Sequence, residues 1–136
     1  MSKVPSERVR TINQQGINVQ GEYVLYWMIS NRRSEWNFSL QRAVQWAREL
    51  RKPLLVFEPL RCGYQWASDR LHQFVIQGMA DNARRLARKK ISYFPYLEPE
   101  HGAGKGLLAA LAGRSAVLVS DDFPCFFVPR MLQSAA

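Results

Sequence analysis

Residues 22–29, EYVLYWMI, form an unbroken run of apolar, aromatic and β-branched side chains opened by one glutamate. A run of this kind predicts a strand buried on both faces. Polar residues occupy 30–35, and Asn37 then stands where a helix cap is expected. Leu40, Ala43, Val44, Ala47 and Leu50 recur at helical spacing, which predicts a helix over 38–50. Pro53 ends that pattern, and a second apolar strand begins at Leu54. Ser68 caps a long predicted helix over 69–89, in which Leu71, Val75, Gly78, Met79, Asn82 and Leu86 share a face. Gly78 costs about 1 kcal/mol against alanine inside a helix, so a close helix–sheet approach is expected there. A third strand is predicted over 91–97, and its Pro95 marks it as an edge strand because proline lacks a ladder donor. A glycine-rich turn leads into a short helix over 105–112. Residues 115–120, SAVLVS, make a fourth strand.

Strands thus alternate with helices, the signature of an α/β domain with a parallel sheet, right-handed crossovers and helices on both faces. The expected architecture is a Rossmann-like open sheet of order 3-2-1-4, preceded by a polar arm over 1–21 and spanning 22–136. Ligands of such sheets bind beyond the carboxyl ends of the strands, where the order reverses. The strand over 115–120 has interior character yet falls on the outer edge. Such an edge is usually covered or charged. The chain therefore reads as cut short, or as one that pairs with a second copy through 115–120.

Composition adds a charge bias. The 136 residues hold 19 Lys and Arg against 11 Asp and Glu, a formal net charge of +8. Such a domain attracts polyanions. Arg84, Arg85, Arg88, Lys89 and Lys90 form the densest cluster. They fit either a polyanion surface or the negative end of the helix dipole. No apolar run reaches the roughly 18 residues of a membrane span, and no signal segment is evident, so a cytoplasmic protein is expected. The two cysteines, Cys62 and Cys125, read as reduced structural thiols. The loop Gly102–Ala103–Gly104–Lys105–Gly106 fails the Walker pattern twice: Pro99 replaces the leading glycine, and Gly106 replaces Ser or Thr. His72 reads as a helix-face residue. Asp121 and Asp122 at a strand end suit either a ligand hydroxyl or a turn cap. Trp27 and Trp36 suit either the core or stacking on a planar ring.

Three segments carry a family resemblance. Arg8-Val9-Arg10 with Asn13 precedes Tyr23-Val24-Leu25-Tyr26-Trp27-Met28, with Arg33 and Asn37 beyond. This series resembles the start of class II cyclobutane pyrimidine dimer photolyases. Ser68-Asp69-Arg70-Leu71-His72-Gln73-Phe74 with Gly78-Met79, and Asp121-Asp122-Phe123-Pro124 with Pro129-Arg130, are similar to later segments of the same family. The resemblance spans about 8–132.

It implies the family's N-terminal α/β domain, which carries a light-harvesting antenna chromophore: 8-hydroxydeazaflavin for class II, a folate or flavin elsewhere. The residues it carries over as cofactor-binding candidates are Trp27, Met28, Arg33, Asn37, Glu58, Arg70 and Asp121. In that carry-over Trp27 and Met28 pack on a ring, Asn37 bonds to it, and Arg33 or Arg70 meets an anionic group. The repair chemistry belongs to an FAD-holding helical domain that 136 residues cannot contain. The chain alone is therefore expected to be inactive, with damaged DNA met through the parent enzyme and with the usual fifth strand missing. Two other readings stand beside it. One is a non-catalytic binding or dimerisation module. The other is a nucleotide-binding protein of the stress-protein type, disfavoured because no glycine-rich motif follows the first strand.

Overall fold

The computed structural model describes residues 3–64, 67–125 and 128–136. Phe126 and Phe127, inside the aromatic segment after 120, lie outside them. Strands β1 (Tyr23–Trp27), β2 (Leu54–Leu60), β3 (Ser92–Leu97) and β4 (Ser115–Ser120) form one parallel sheet of order β3-β2-β1-β4. Helices α1 (Phe38–Leu50), α2 (Asp69–Arg88), α3 (Leu107–Gly113) and α4 (Val128–Ala135) complete it. The α/β class, the strand order and the edge position of β3 are those that the alternation and Pro95 predict.

Strand alternation divides β1 between two cores. Val24, Tyr26 and Met28 join Val56, Leu40, Ala43 and Leu86 on the face that carries α1 and α2. Leu25 and Trp27 join Phe57, Val128 and Leu132 on the face that carries α3 and α4. A run apolar at every position is therefore required, since each parity supplies a different core. Each such fully buried side chain contributes roughly 1.5–3 kcal/mol. The caps stand where the sequence places them. Asn37 Oδ1 accepts from Leu40 N at 3.0 Å, and Ser68 Oγ accepts from Leu71 N at 3.2 Å. Helix α4 is not anticipated by the periodicity. It buries only Val128 and Leu132, one turn apart, with Pro129 in its first turn, where proline is tolerated.

Helix α2 departs from its expected burial. Only Met79, Asn82 and Leu86 are buried, whereas Leu71 is 39% and Phe74 74% exposed. Its 20 residues span about 30 Å, longer than the strands it packs on, so its first turns rise past their carboxyl ends. The close approach expected at Gly78 is absent, because a Cβ there meets nothing within 4 Å. The true close approach is at Gly21, where a Cβ would lie 2.3 Å from Ala116 N.

The polar arm is tied along β4. Arg10 pairs with Asp122 at 3.0 Å, beyond the carboxyl end of β4. Asn18 N donates to Ala116 O at 3.0 Å, at its amino end. The arm therefore runs antiparallel beside β4. The carbonyl of Ala116 thus meets the arm rather than another strand.

Two glycine substitutions have opposite expected outcomes. Gly78→Ala stabilises the protein by about 1 kcal/mol, from helix propensity alone. Gly21→Ala lowers the denaturant midpoint sharply, because backbone must move to admit the methyl group. Equilibrium unfolding measures both.

Candidate functional site

Order reversal places the expected ligand crevice between β1 and β4, and a protein carboxylate fills it. Asp121, 1% exposed, follows β4. Its Oδ2 accepts from the main-chain N–H groups of Ile29, Ser30 and Asn31 at 3.1, 2.8 and 2.9 Å. Its Oδ1 accepts from the Tyr26 hydroxyl at 2.8 Å. Asn37 Nδ2 lies 2.9 Å from the same hydroxyl and from Asn31 O, and 3.0 Å from Arg33 O. The amides after the first strand, which in many α/β sheets meet a ligand phosphate, are here spent on Asp121. Burial, reinforced by the Asp121 charge, pushes the Tyr26 phenol well above its ordinary range.

A second buried carboxylate organises the next strand end. Glu58 is fully buried on β2. Its Oε1 accepts from Tyr93 Oη at 2.7 Å and from Asn82 Nδ2 at 2.9 Å. Its Oε2 accepts from Arg32 Nη1 at 3.1 Å, while Arg32 Nη2 donates to Pro59 O at 2.9 Å. The Arg32 side chain, 24% exposed, is thus fixed across the ends of β1 and β2. Burial and then the hydrogen bond to Glu58 push the Tyr93 phenol up.

Beside Arg32 opens a cavity of about 560 Å³, within the range of small-molecule sites. Register builds its floor. Trp27 stands beside Phe57, and Pro59 beside Tyr96, on the face that carries α3 and α4. Leu71 and Val75 from the overhanging turns of α2 form one wall, and Leu107 and Leu108 of α3 another. The rim holds Arg61, Tyr64, His101 and Lys105. Glu98 ties the rim loops together. Its Oε1 accepts from Cys62 N and Sγ, both at 3.3 Å, and its Oε2 from Gly104 N at 3.3 Å. Burial raises the Glu98 carboxyl, but these hydrogen bonds outweigh it and hold the group below its ordinary range. Burial and the Glu98 contact push the Cys62 thiol up, in keeping with a structural thiol.

The candidate residues fall in different places. Trp27 lines the cavity. Met28, Asn37, Glu58 and Asp121 are buried in internal contacts, with the Met28 sulfur 3.7 Å from Asn82 Nδ2. Glu58 reaches the cavity only through Arg32. Arg33 is exposed, with its Nε on Trp36 O at 3.2 Å, and Arg70 is exposed on α2 outside the cavity lining. Trp36 is 92% exposed, outside the core and outside the lining of the cavity beside Arg32. Sequence reasoning missed Arg32, Phe57, Tyr96 and the rim residues. The period-two pairs Trp27/Ile29 and Phe57/Pro59 were legible, but not their register. Among the described residues no group of three or more His, Cys, Asp or Glu is placed to hold a metal.

No family profile matches the sequence. A deoxyribodipyrimidine photo-lyase of Methanothermobacter thermautotrophicus is 32% identical over 118 residues, covering 87% of this chain. The chain spans 26% of that relative's length. It is therefore photolyase-like in sequence over most of its own length. A solved structure of a universal stress protein family member from Burkholderia pseudomallei has a TM-score of 0.48 at 16% identity, covering 84% of this chain and 90% of that one. That similarity is too weak to bear on fold or function.

Two outcomes follow from the buried carboxylates. Asp121→Asn keeps one oxygen for the three N–H groups but removes the charge they stabilise and turns an amide donor onto the Tyr26 hydroxyl, which loses its acceptor, at a cost of about 3 kcal/mol of stability, measured by equilibrium unfolding. Tyr26 and Tyr93 stay protonated in the folded protein, whereas an unfolded tyrosine ionises at its ordinary value near pH 10. Stability is therefore intact below about pH 10 and falls above it. Tyrosinate absorbance should show these two phenols titrating only as the protein unfolds.

Proposed function

We propose that this chain is the N-terminal α/β domain of a photolyase for pyrimidine dimers of class II type, binding an antenna chromophore in the cavity beside Arg32. The observation that carries the reading is the 32% identity to a photolyase over 87% of the chain. The cavity's position supports the chromophore, since it opens at the carboxyl ends of the strands. The residues present fit a planar fused-ring group, such as the three rings of 8-hydroxydeazaflavin or a flavin or the two of a folate's pterin. Trp27, Phe57, Tyr64 and Tyr96 offer aromatic surface, and Arg32 and the Trp27 indole N–H offer donors. Such a group, when bound, absorbs light and passes excitation energy onward. Trp27 and Phe57 would offer it stacking surface, and Leu71 and Val75 of the α2 overhang would shield it from water. FAD, the dimer in damaged DNA and the repair step belong, in this reading, to a catalytic domain of the parent enzyme in the cytoplasm. Among the described residues no helix is long and apolar enough to cross a membrane.

A second reading is a non-catalytic module that dimerises through 115–120. The edge position of β4 favours it. The arm beside β4 would have to move to admit a second copy.

Equilibrium dialysis and absorption spectroscopy with 8-hydroxydeazaflavin, FMN and a methenyl folate test the chromophore. At least one of them binds with a shifted absorption band. Trp27→Ala weakens it about tenfold, the scale of an aromatic contact plus its buried area. Arg70→Ala leaves it unchanged. Retention of none of the three overturns the proposal.

A further inference from the structure

The polar groups of the cavity are unbalanced, and the imbalance specifies the charge of what binds. Arg32, Arg61 and Lys105 bring three cationic side chains to the lining, and Glu98 the one carboxylate. Glu98 is already engaged by Cys62 and Gly104. Trp27, only 5% exposed, adds an indole N–H with no hydrogen-bond partner among the described residues. A buried donor without a partner is a costly feature that a ligand oxygen would relieve.

The cations are not equivalent. Arg61 and Lys105 are exposed at the rim, where water and salt screen them. Arg32 is mostly buried and held from behind. Glu58 and Pro59 O fix one edge of its guanidinium, and Tyr93 and Asn82 fix Glu58 in turn. A guanidinium has five N–H donors in a rigid fork, so contacts on one edge leave others for a ligand. Glu58 itself is sealed from the cavity and cannot be met by a ligand.

We infer that the cavity selects a planar aromatic anion whose negatively charged group pairs with Arg32, with Glu58, Asn82 and Tyr93 as the residues that position that arginine. The inference rests on the cavity being a ligand site, as proposed above, but not on the ligand being a chromophore. It names the ionised form of whatever aromatic ligand enters as the bound form.

Two fluorescent probes with the same rings separate charge from shape: 8-anilinonaphthalene-1-sulfonate, an anion, and N-phenyl-1-naphthylamine, its neutral counterpart. The native protein should bind the sulfonate about tenfold more tightly than the amine, the scale of one charge-assisted hydrogen bond. The double variant Arg32→Met/Glu58→Gln keeps the protein's net charge and leaves an acceptor for Tyr93 and Asn82. It should bind the two probes equally. The surface variant Arg61→Met/Lys105→Met, which disturbs no buried contact, should keep most of the preference. It decides the matter even where the first variant fails to fold. Equal binding of both probes by the native protein leaves the cavity standing and overturns its selectivity for anions. A preference lost only with Arg61 and Lys105 places the charge at the rim and overturns the role of Arg32. Binding of neither probe overturns the cavity as a ligand site, and the inference with it.

Discussion

Asp121 is the interaction on which the carboxyl end of this sheet depends. A carboxylate with 1% exposure is costly to bury, and four donors compensate it. Those donors come from β1 and the loop after it, so the charge joins β4 to the centre of the sheet. Tyr26 and Asn37 extend the network to the first turn of α1. The same contacts fix the loop over 29–31, and with it the starting point of Arg32. One residue therefore closes the usual crevice and sets the position of a side chain at the neighbouring cavity.

Closing that crevice has a functional consequence. An anion at the reversal point would compete with Asp121 for the same three amides. The protein's own carboxylate holds an intramolecular advantage there. Space for a ligand remains on the other face, above the rows that parallel register creates from β1, β2 and β3. Those rows are aromatic or apolar, so the floor favours a flat, apolar surface. Glu58 then supplies one fixed cation at its margin. A site with stacking surface and a single oriented charge is suited to holding a ring system in a set direction rather than to transforming it.

How much of this was legible depends on the range of the interaction. The caps at Asn37 and Ser68 were readable because each bonds three residues away. Pro95 announced an edge strand because a missing donor is a property of one residue. The face of α2 was read too long, since periodicity assigns an apolar side but not where the sheet beneath it ends. Gly78 was assigned a contact by the same error. Helix α4 escaped notice because eight residues with two buried positions carry too little pattern. Asp121 was recognised as a residue with a task, but ligand binding and local capping could not be separated. Its partners lie about 90 residues away, at positions 26 and 29–31.

The sequence by itself determined the α/β class, the strand order, the main caps and the doubly buried character of β1, all consequences of local pattern and of crossover handedness. It also carried the photolyase likeness. Tertiary structure alone decided which polar groups are spent inside the protein and which belong to residues lining the cavity. Glu58 and Asp121 belong to the first set and Arg32 and the Trp27 indole to the second. The reason is that hydrogen bonding of a buried group is settled by register and loop path, which bring together residues remote in sequence. Residue type states what a side chain can bond to, and only the fold states whether that capacity is already used.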